Sequence, residues 1–175
     1  MRLLRAIALR LLLPALLLAA LPASASTPLD GQLLGSSEAE LQARFESLVR
    51  MRKPVPGPNG LRGAWALPDI HLSGLPFQTI FYVKNQRVSR IEQRWTSTPD
   101  RCSDASVFAA VVADIDAKHG SGLLAQDDAD GNVARQSVVW QSDAFDTLAY
   151  ASQSATECSI MVIYKPHLIQ DASEL

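Results

Sequence analysis

The sequence of 175 residues contains few of the side chains on which catalytic and metal sites depend. It has two cysteines and three histidines. His71, His119 and His167 stand far apart, without the spacing that brings two imidazoles onto one zinc ion. The chain also lacks a Walker phosphate loop, a dinucleotide-binding glycine pattern and a Gly-x-Ser-x-Gly nucleophile motif. We therefore predict that the protein is not an enzyme and has no cofactor and no metal.

One acidic segment, residues 127–132, shares part of the pattern of a calcium-binding loop. The first ligand position of such a loop would be Gln126 and the twelfth Ser137, so two carboxylate ligands are missing. A turn at Asp130 and Gly131 that leads into a strand accounts for the same residues without a metal ion.

The longest apolar run lies at the N-terminus, behind Arg2 and Arg5 and ahead of the small residues 23–25. This order is typical of a secretory signal peptide, and we predict cleavage after Ala25. A membrane anchor is the alternative, but Arg10 and Pro14 leave an apolar span shorter than the ~20 residues that a bilayer requires. Because no cysteine lies near the cleavage site, a lipid anchor is not expected either. The prediction is a periplasmic or secreted protein without a stable membrane anchor.

Residues 26–175 remain after cleavage and have the length of a single domain that buries its own core. Loss of Arg2, Arg5 and Arg10 with the signal leaves a formal charge of about −5. An acidic balance of this kind argues against a nucleic-acid partner.

Cys102 and Cys158 both lie in the part of the chain that we expect to be exported, where disulfides are stable. The alternative is a reactive cysteine with a histidine partner, which would leave the second cysteine unexplained. We predict an intramolecular disulfide closing a loop of about 57 residues, which contributes about 4 kcal/mol on the chain-entropy model.

A first helix is predicted to begin after Ser37, because Ser37 and Glu40 form a capping box. Leu41, Phe45 and residues 48–49 fall on one face of that helix. Residues 53–60 contain three prolines and two glycines and are predicted to form a loop.

A second helix is predicted because apolar residues recur at helical spacing, namely Phe108, Val111, Val112 and Ile115. Gly120 is predicted to end this helix. Strands are predicted over residues 63–67, 77–83, 88–95, 136–141, 145–151 and 158–164, with a turn over residues 68–76. In the third of these strands, alternation places Arg90, Glu92 and Arg94 on one face. The predicted class is α+β, with amphipathic helices packed on one face of a curved antiparallel sheet.

The helix start at residues 33–41 and the hairpin at residues 81–88 resemble the β-lactamase-inhibitor-protein-like fold, which includes the small outer-membrane-assembly lipoproteins. In that fold a helix followed by a short meander is repeated, and the resemblance implies binding rather than catalysis. The chain departs from the family in lacking a Gly-x-Pro turn after Leu48 and an acylated cysteine. A sheet with a helix of the cystatin or nuclear-transport-factor type is the alternative.

Positive charge is concentrated at Arg50, Arg52 and Lys53, joined by Arg62 across the proline-rich segment. One interpretation is a helix C-terminus, where the macrodipole favours cations. The other is a binding site for an acidic partner, with Trp65 as its aromatic anchor. Trp65 is expected to be either such an anchor or, like Trp95 and Trp140, a core or half-buried residue of the sheet, and the sequence leaves both open.

The predicted function is that of a non-enzymatic, exported protein-binding domain, such as an inhibitor or an immunity protein against an envelope-acting enzyme. Its partner is expected to be another protein of the cell envelope. The alternatives are a structural accessory of envelope assembly and an enzyme with an unfamiliar site. The sequence leaves the oligomeric state open.

Overall fold

The protein is described by a computed structural model over residues 29–102, 105–130 and 133–167. These residues form an α+β fold with an eight-stranded antiparallel sheet. The predicted signal peptide, residues 1–25, lies outside the described residues. The strands are β1 (Val49–Pro56), β2 (Arg62–Leu72), β3 (Leu75–Lys84), β4 (Arg87–Ser97), β5 (Leu123–Asp130), β6 (Val133–Gln141), β7 (Phe145–Gln153) and β8 (Cys158–Pro166). The helices are α1 (Glu38–Arg44), α2 (Pro99–Cys102) and α3 (Ser106–His119).

The strands are ordered β1-β2-β3-β4-β8-β7-β6-β5 across the sheet. Each run of four consecutive strands is therefore a meander, and the two meanders join where β4 pairs with β8. The first strand of each meander, β1 or β5, forms an edge of the sheet.

The capping box predicted for α1 is confirmed. Ser37 Oγ accepts the backbone N–H of Glu40 at 3.2 Å, and the Glu40 carboxylate accepts the backbone N–H of Ser37 at 2.6 Å. That second hydrogen bond lowers the pKa of Glu40. The predicted length of the helix is wrong, because α1 ends at Arg44 and Val49 already pairs with Ala66 in the sheet.

Part of the predicted proline-rich loop is a strand. Strand β1 continues to Pro56, with a register shift between Arg50 and Val55. Prolines are compatible with an edge strand, since its outer side needs no N–H donors. The turn predicted over residues 68–76 is present but confined to Ser73 and Gly74, because β2 continues to Leu72 past an irregularity at Asp69, whose φ is 56°.

The hairpin of β3 and β4 and the helix α3 were predicted correctly. Asn85 and Gln86 have φ angles of 52° and 61°, which fit the left-handed two-residue turn that matches strand twist. Helix α3 buries Phe108, Val111 and Ile115 and ends at Gly120. Strand β5 was not predicted, because its apolar residues are followed by aspartates that favour a turn.

The core lies between the helices and one face of the sheet. Leu41 of α1 and the three buried residues of α3 belong to the same core cluster as alternate residues of the strands. These core-facing strand residues include Leu67, Phe77, Phe81, Ile91, Trp95, Val138, Ala149, Ile160 and Val162. Because side chains alternate along a strand, the intervening residues project to the opposite side, which we call the outer face.

Candidate functional site

One row of side chains crosses the whole outer face. Residues paired directly in an antiparallel sheet lie side by side on the same face, with Cβ atoms about 4.5–5.5 Å apart. The register of all seven strand pairs connects one such residue from every strand. The row consists of Val49, Ala66, Ile80, Glu92, Ile163, Leu148, Val139 and Leu123. Seven of its members are apolar, so we call it the apolar row.

Glu92 interrupts the apolar row near its middle and is 8 % exposed. Tyr82 donates its hydroxyl to Oε2 of Glu92 at 3.0 Å, and Arg90 donates Nε–H to Oε1 at 2.6 Å. Both carboxylate oxygens are thereby paired, as a buried charge requires. Burial, and next the nearby Glu92 charge, raise the pKa of Tyr82 to about 12. Tyr82 is therefore a fixed donor at neutral pH.

Among the residues that the structure describes, three buried apolar side chains lie outside the core cluster, namely Tyr82, Met161 and Ile163. All three belong to the outer face, beside or within the apolar row. The outer face thus has an apolar centre of its own.

A second row runs beside the first through Gln78, Arg94, Met161 and Tyr150. Arg94 is exposed and has no ion-pair partner among the residues that the structure describes. With Gln78 and Thr96 it lines a cavity of about 290 Å³ at one end of the face. An unpaired guanidinium beside an apolar strip favours contact with a carboxylate of another molecule.

A second outer-face carboxylate with a described side chain, that of Asp146, is already partnered. Asp146 Oδ1 lies 2.7 Å from Nδ1 of His167, and its Oδ2 lies 3.8 Å from Nζ of Lys165. Lys165 is also the strand partner of Asp146. Arg94 and the exposed Asp69 both line the cavity at the end of the outer face, and neither has an ion-pair partner within the described part of the chain.

The basic residues predicted as a partner-binding site lie on the edge strand β1 and on its neighbour β2. Arg50, Arg52 and Lys53 belong to β1 and Arg62 to β2, and all four are exposed. Their interpretation as a helix C-terminus is wrong, because α1 ends at Arg44.

Trp65 does not lie at the surface as an anchor. It is 7 % exposed, belongs to the core cluster, and donates its indole N–H to Oε2 of Glu38 at 3.0 Å. The guanidinium of Arg50 lies 5.6 Å from the centre of its ring. Arg50 and Glu38 thus help to enclose Trp65.

Cys158 is buried at the start of β8, where its Sγ lies 3.2 Å from the carbonyl oxygen of Thr98. Thr98 directly precedes α2, which ends at Cys102. Cys158 is not a free thiol. The side chain of Cys102 is not among the described ones, so its pairing with Cys158 stays a prediction.

Within the described ranges, no group of three or more His, Cys, Asp or Glu residues is placed to hold a metal ion. The side chains of residues 126–132, where a turn was preferred to a calcium site, lie outside the described ones. Among the helices of those same ranges, none is long and apolar enough to cross a membrane.

Comparison of the chain with known protein families, curated proteins and solved structures finds no match in any of the three. The resemblance to the β-lactamase-inhibitor-protein-like fold therefore stays a prediction. The arrangement of side chains on the outer face is therefore the basis of the proposed function.

Proposed function

We propose that this protein is an exported, non-enzymatic protein-binding domain and that the outer face of its sheet is the contact surface. The observation that carries the proposal is the apolar row, which stays in register through all eight strands. Ile80, Leu148 and Val139 in this row are only half-buried, so part of its apolar surface remains accessible. Accessible apolar surface of this kind is typical of protein-protein contacts.

We further propose that the two halves of the sheet are structural repeats. In each half a helix precedes a four-stranded meander, as α1 does for β1–β4 and α3 for β5–β8. The apolar row supports this, because Ile80 and Leu148 occupy matching places on either side of the central Glu92 and Ile163 pair. The arrangement agrees with the helix-plus-meander unit of the fold that the sequence resembles, and that fold implies binding.

The partner is a protein surface that presents apolar side chains together with a carboxylate. The apolar side chains would cover the row, and the carboxylate would pair with Arg94 at its border. The Tyr82–Glu92–Arg90 cluster holds the centre of the face in one geometry, because each group of the cluster is paired within it. A face that is ordered before binding loses little conformational entropy on association.

A photocrosslinking amino acid placed at Ile80 or Leu148 tests the contact surface in living cells. Both positions should capture one and the same envelope protein. The matched control is Ala113, an exposed position of α3 on the opposite side of the sheet. Capture from Ala113 and from neither outer-face position would contradict the proposal.

Calorimetry with the purified captured protein then tests the chemistry. Arg94→Glu should weaken binding about tenfold or more, because it sets two carboxylates against each other. Arg52→Glu makes the same change on β1 and should leave the affinity within about twofold. If Arg52→Glu weakens binding and Arg94→Glu does not, the partner contacts the basic residues of β1 and β2 instead of the outer face.

A further inference from the structure

The cavity at the end of the outer face lies where β2, β3 and β4 run side by side, and its volume is about 290 Å³. This volume is at the lower end of the ~300–1,000 Å³ range of small-molecule sites, so the cavity has room for about one amino-acid residue. Its two charged lining residues are Asp69 and Arg94, and both are exposed. The cavity therefore combines a carboxylate and a guanidinium that solvent, and hence a ligand, can reach.

Asp69 is positioned by an irregularity in β2. The register with β3 shifts between Leu67 and Ile70, because β2 contains one extra residue there. Such a bulge changes the direction in which a side chain projects, and bulges are common next to binding sites. Asp69 also has a φ of 56°, which L-residues rarely adopt and which the surrounding structure has to enforce. The fold thus holds Asp69 at the cavity in a backbone conformation that costs stability.

Arg94 reaches the same cavity from β4, on the far side of β3. Its direct strand partner is Gln78 of β3, which also lines the cavity. Because β3 separates the strands of Asp69 and Arg94, the two backbones lie about two strand spacings, or ~10 Å, apart. Among the described ion pairs, none joins these two side chains. Each can therefore pair with an opposite charge on one ligand that extends between them.

The remaining lining residues fit the uncharged part of such a ligand. Pro68 and Pro76 contribute apolar rings on restrained backbone, and Gln78 and Thr96 contribute neutral hydrogen-bonding groups. Long basic side chains bury their methylene stems along apolar surface while the charged end stays exposed. Apolar walls beside a carboxylate are thus suited to the stem and the ammonium group of lysine.

We infer that this cavity binds a lysine residue that carries a free carboxylate. The ammonium group pairs with Asp69, the carboxylate pairs with Arg94, and the four-carbon stem extends between them. This chemistry occurs in free lysine and in a lysine at the C-terminus of a peptide or protein. The second case rests on the proposed function, because the terminal carboxylate is then the one that the partner supplies to Arg94.

NMR titration of the isotope-labelled protein beginning at Ser26 with Nα-acetyl-L-lysine tests the inference. This compound has the ammonium group and the free carboxylate of a C-terminal lysine and no α-ammonium group. The backbone amides of Gln78, Arg94 and Thr96 should shift in a saturable way. We expect a dissociation constant of about 1–10 mM, because exposed ion pairs contribute little affinity each.

Matched compounds separate the two charges and the two sources. Nα-acetyl-L-norleucine lacks the ammonium group and Nα-acetyl-L-lysine amide lacks the carboxylate, and each should bind about tenfold more weakly or not at all. Free L-lysine has an additional α-ammonium group beside its carboxylate, which would lie near Arg94. Weaker binding of free lysine than of the acetylated compound identifies a chain terminus as the ligand, and equal or tighter binding identifies the free amino acid.

Cavity variants assign the contacts. Asp69→Asn keeps a residue type that tolerates positive φ and should weaken binding of Nα-acetyl-L-lysine about tenfold, as should Arg94→Gln. Glu46→Gln removes an exposed charge outside the cavity and should leave the affinity within about twofold. The amide spectra of the variants check that they are folded.

The absence of saturable shifts at the cavity in the wild type would overturn the inference, and so would equal affinity of Nα-acetyl-L-lysine for wild type and Asp69→Asn. Photocrosslinking at Ile80 and Leu148 does not depend on this result, since neither residue lines the cavity. A failed titration with successful crosslinking would therefore refute the lysine site alone, and the reverse would refute the proposed contact surface alone.

Discussion

In the N-terminal half of the sheet, Trp65 of β2 donates its indole N–H to Glu38 at the start of α1, at 3.0 Å. In the C-terminal half, Trp140 of β6 donates its indole N–H to Asp116 of α3, at 2.7 Å. Each tryptophan is buried, and each carboxylate belongs to the helix of the same half. The same kind of contact therefore fastens each helix to its own meander.

The halves differ in how much of the helix is buried and in which residues the edge strand contains. Helix α1 has one buried residue, Leu41, whereas α3 buries Phe108, Val111 and Ile115. Edge strand β1 contains prolines and exposed charged residues, whereas β5 begins with exposed leucines. The two halves therefore share the contact that stabilises each helix, whereas their edge strands present different surfaces.

The largest expected effect concerns the junction of the halves, where we predict the Cys102–Cys158 disulfide. Replacing both cysteines by alanine should lower the free energy of unfolding by about 4 kcal/mol, because the bridge closes a long loop in the unfolded chain. Urea titration of wild type and variant measures this. Thiol titration of the unfolded, unreduced wild type is the direct check. It should find no reactive thiol, and two thiols would contradict the pairing.

The next effect contrasts the two helices. Leu41→Ala and Ile115→Ala should each cost about 3 kcal/mol, since both side chains are almost fully buried. Only Leu41→Ala should also release its helix, because α3 keeps Phe108 and Val111 in the core. Hydrogen exchange at the α1 amides should then approach the rate of an unfolded chain. Equal protection of α1 in both variants would show that Leu41 is not its main attachment.

A smaller difference in stability is expected between variants of the two carboxylates that accept the tryptophan indole N–H groups. Asp116 Oδ1 also accepts the backbone N–H of Gly122 at 3.0 Å, so Asp116→Ala removes two hydrogen bonds. We expect a loss of about 2 kcal/mol for Asp116→Ala and about 1 kcal/mol for Glu38→Ala. Thermal unfolding of the two variants measures the difference. A larger loss of stability for Glu38→Ala than for Asp116→Ala would contradict this prediction.

The local features of this fold could be predicted where one short segment contains the whole signal. The Ser37 and Glu40 capping box, the β3–β4 hairpin and the end of α3 at Gly120 are of this kind. Helix α1 was predicted too long because Leu48 and Val49 fit the helical spacing, but pairing with β2 draws Val49 into a strand. Tertiary pairing outweighs a helical pattern of only two turns.

The candidate site was less accessible to prediction because it depends on register. Alternation correctly placed Arg90, Glu92 and Arg94 on one face of β4. The sequence does not indicate that β4 pairs with β8, because β5, β6 and β7 separate the two strands along the chain. Without that pair the apolar row cannot be assembled. The sequence left open whether Trp65 is a core residue or the anchor of a binding site, and the structure shows that it is buried in the core and hydrogen-bonded to α1.

The smallest effect at neutral pH concerns Tyr82, which is protonated in the folded and unfolded protein alike. Its pKa is raised from 10 to about 12 in the fold, first by burial and then by Glu92. The folded state therefore holds this proton more tightly than the unfolded state. The resulting stabilisation is complete below pH 10 and is lost as the pH rises through 12. Tyrosinate absorbance of the folded protein should show a late step that Tyr82→Phe removes. Glu92→Gln should shift the step to lower pH without returning it to 10, because burial, the larger cause, remains. A Tyr82 that titrates near pH 10 would mean that its hydroxyl meets solvent, and the paired centre of the outer face would then be wrong.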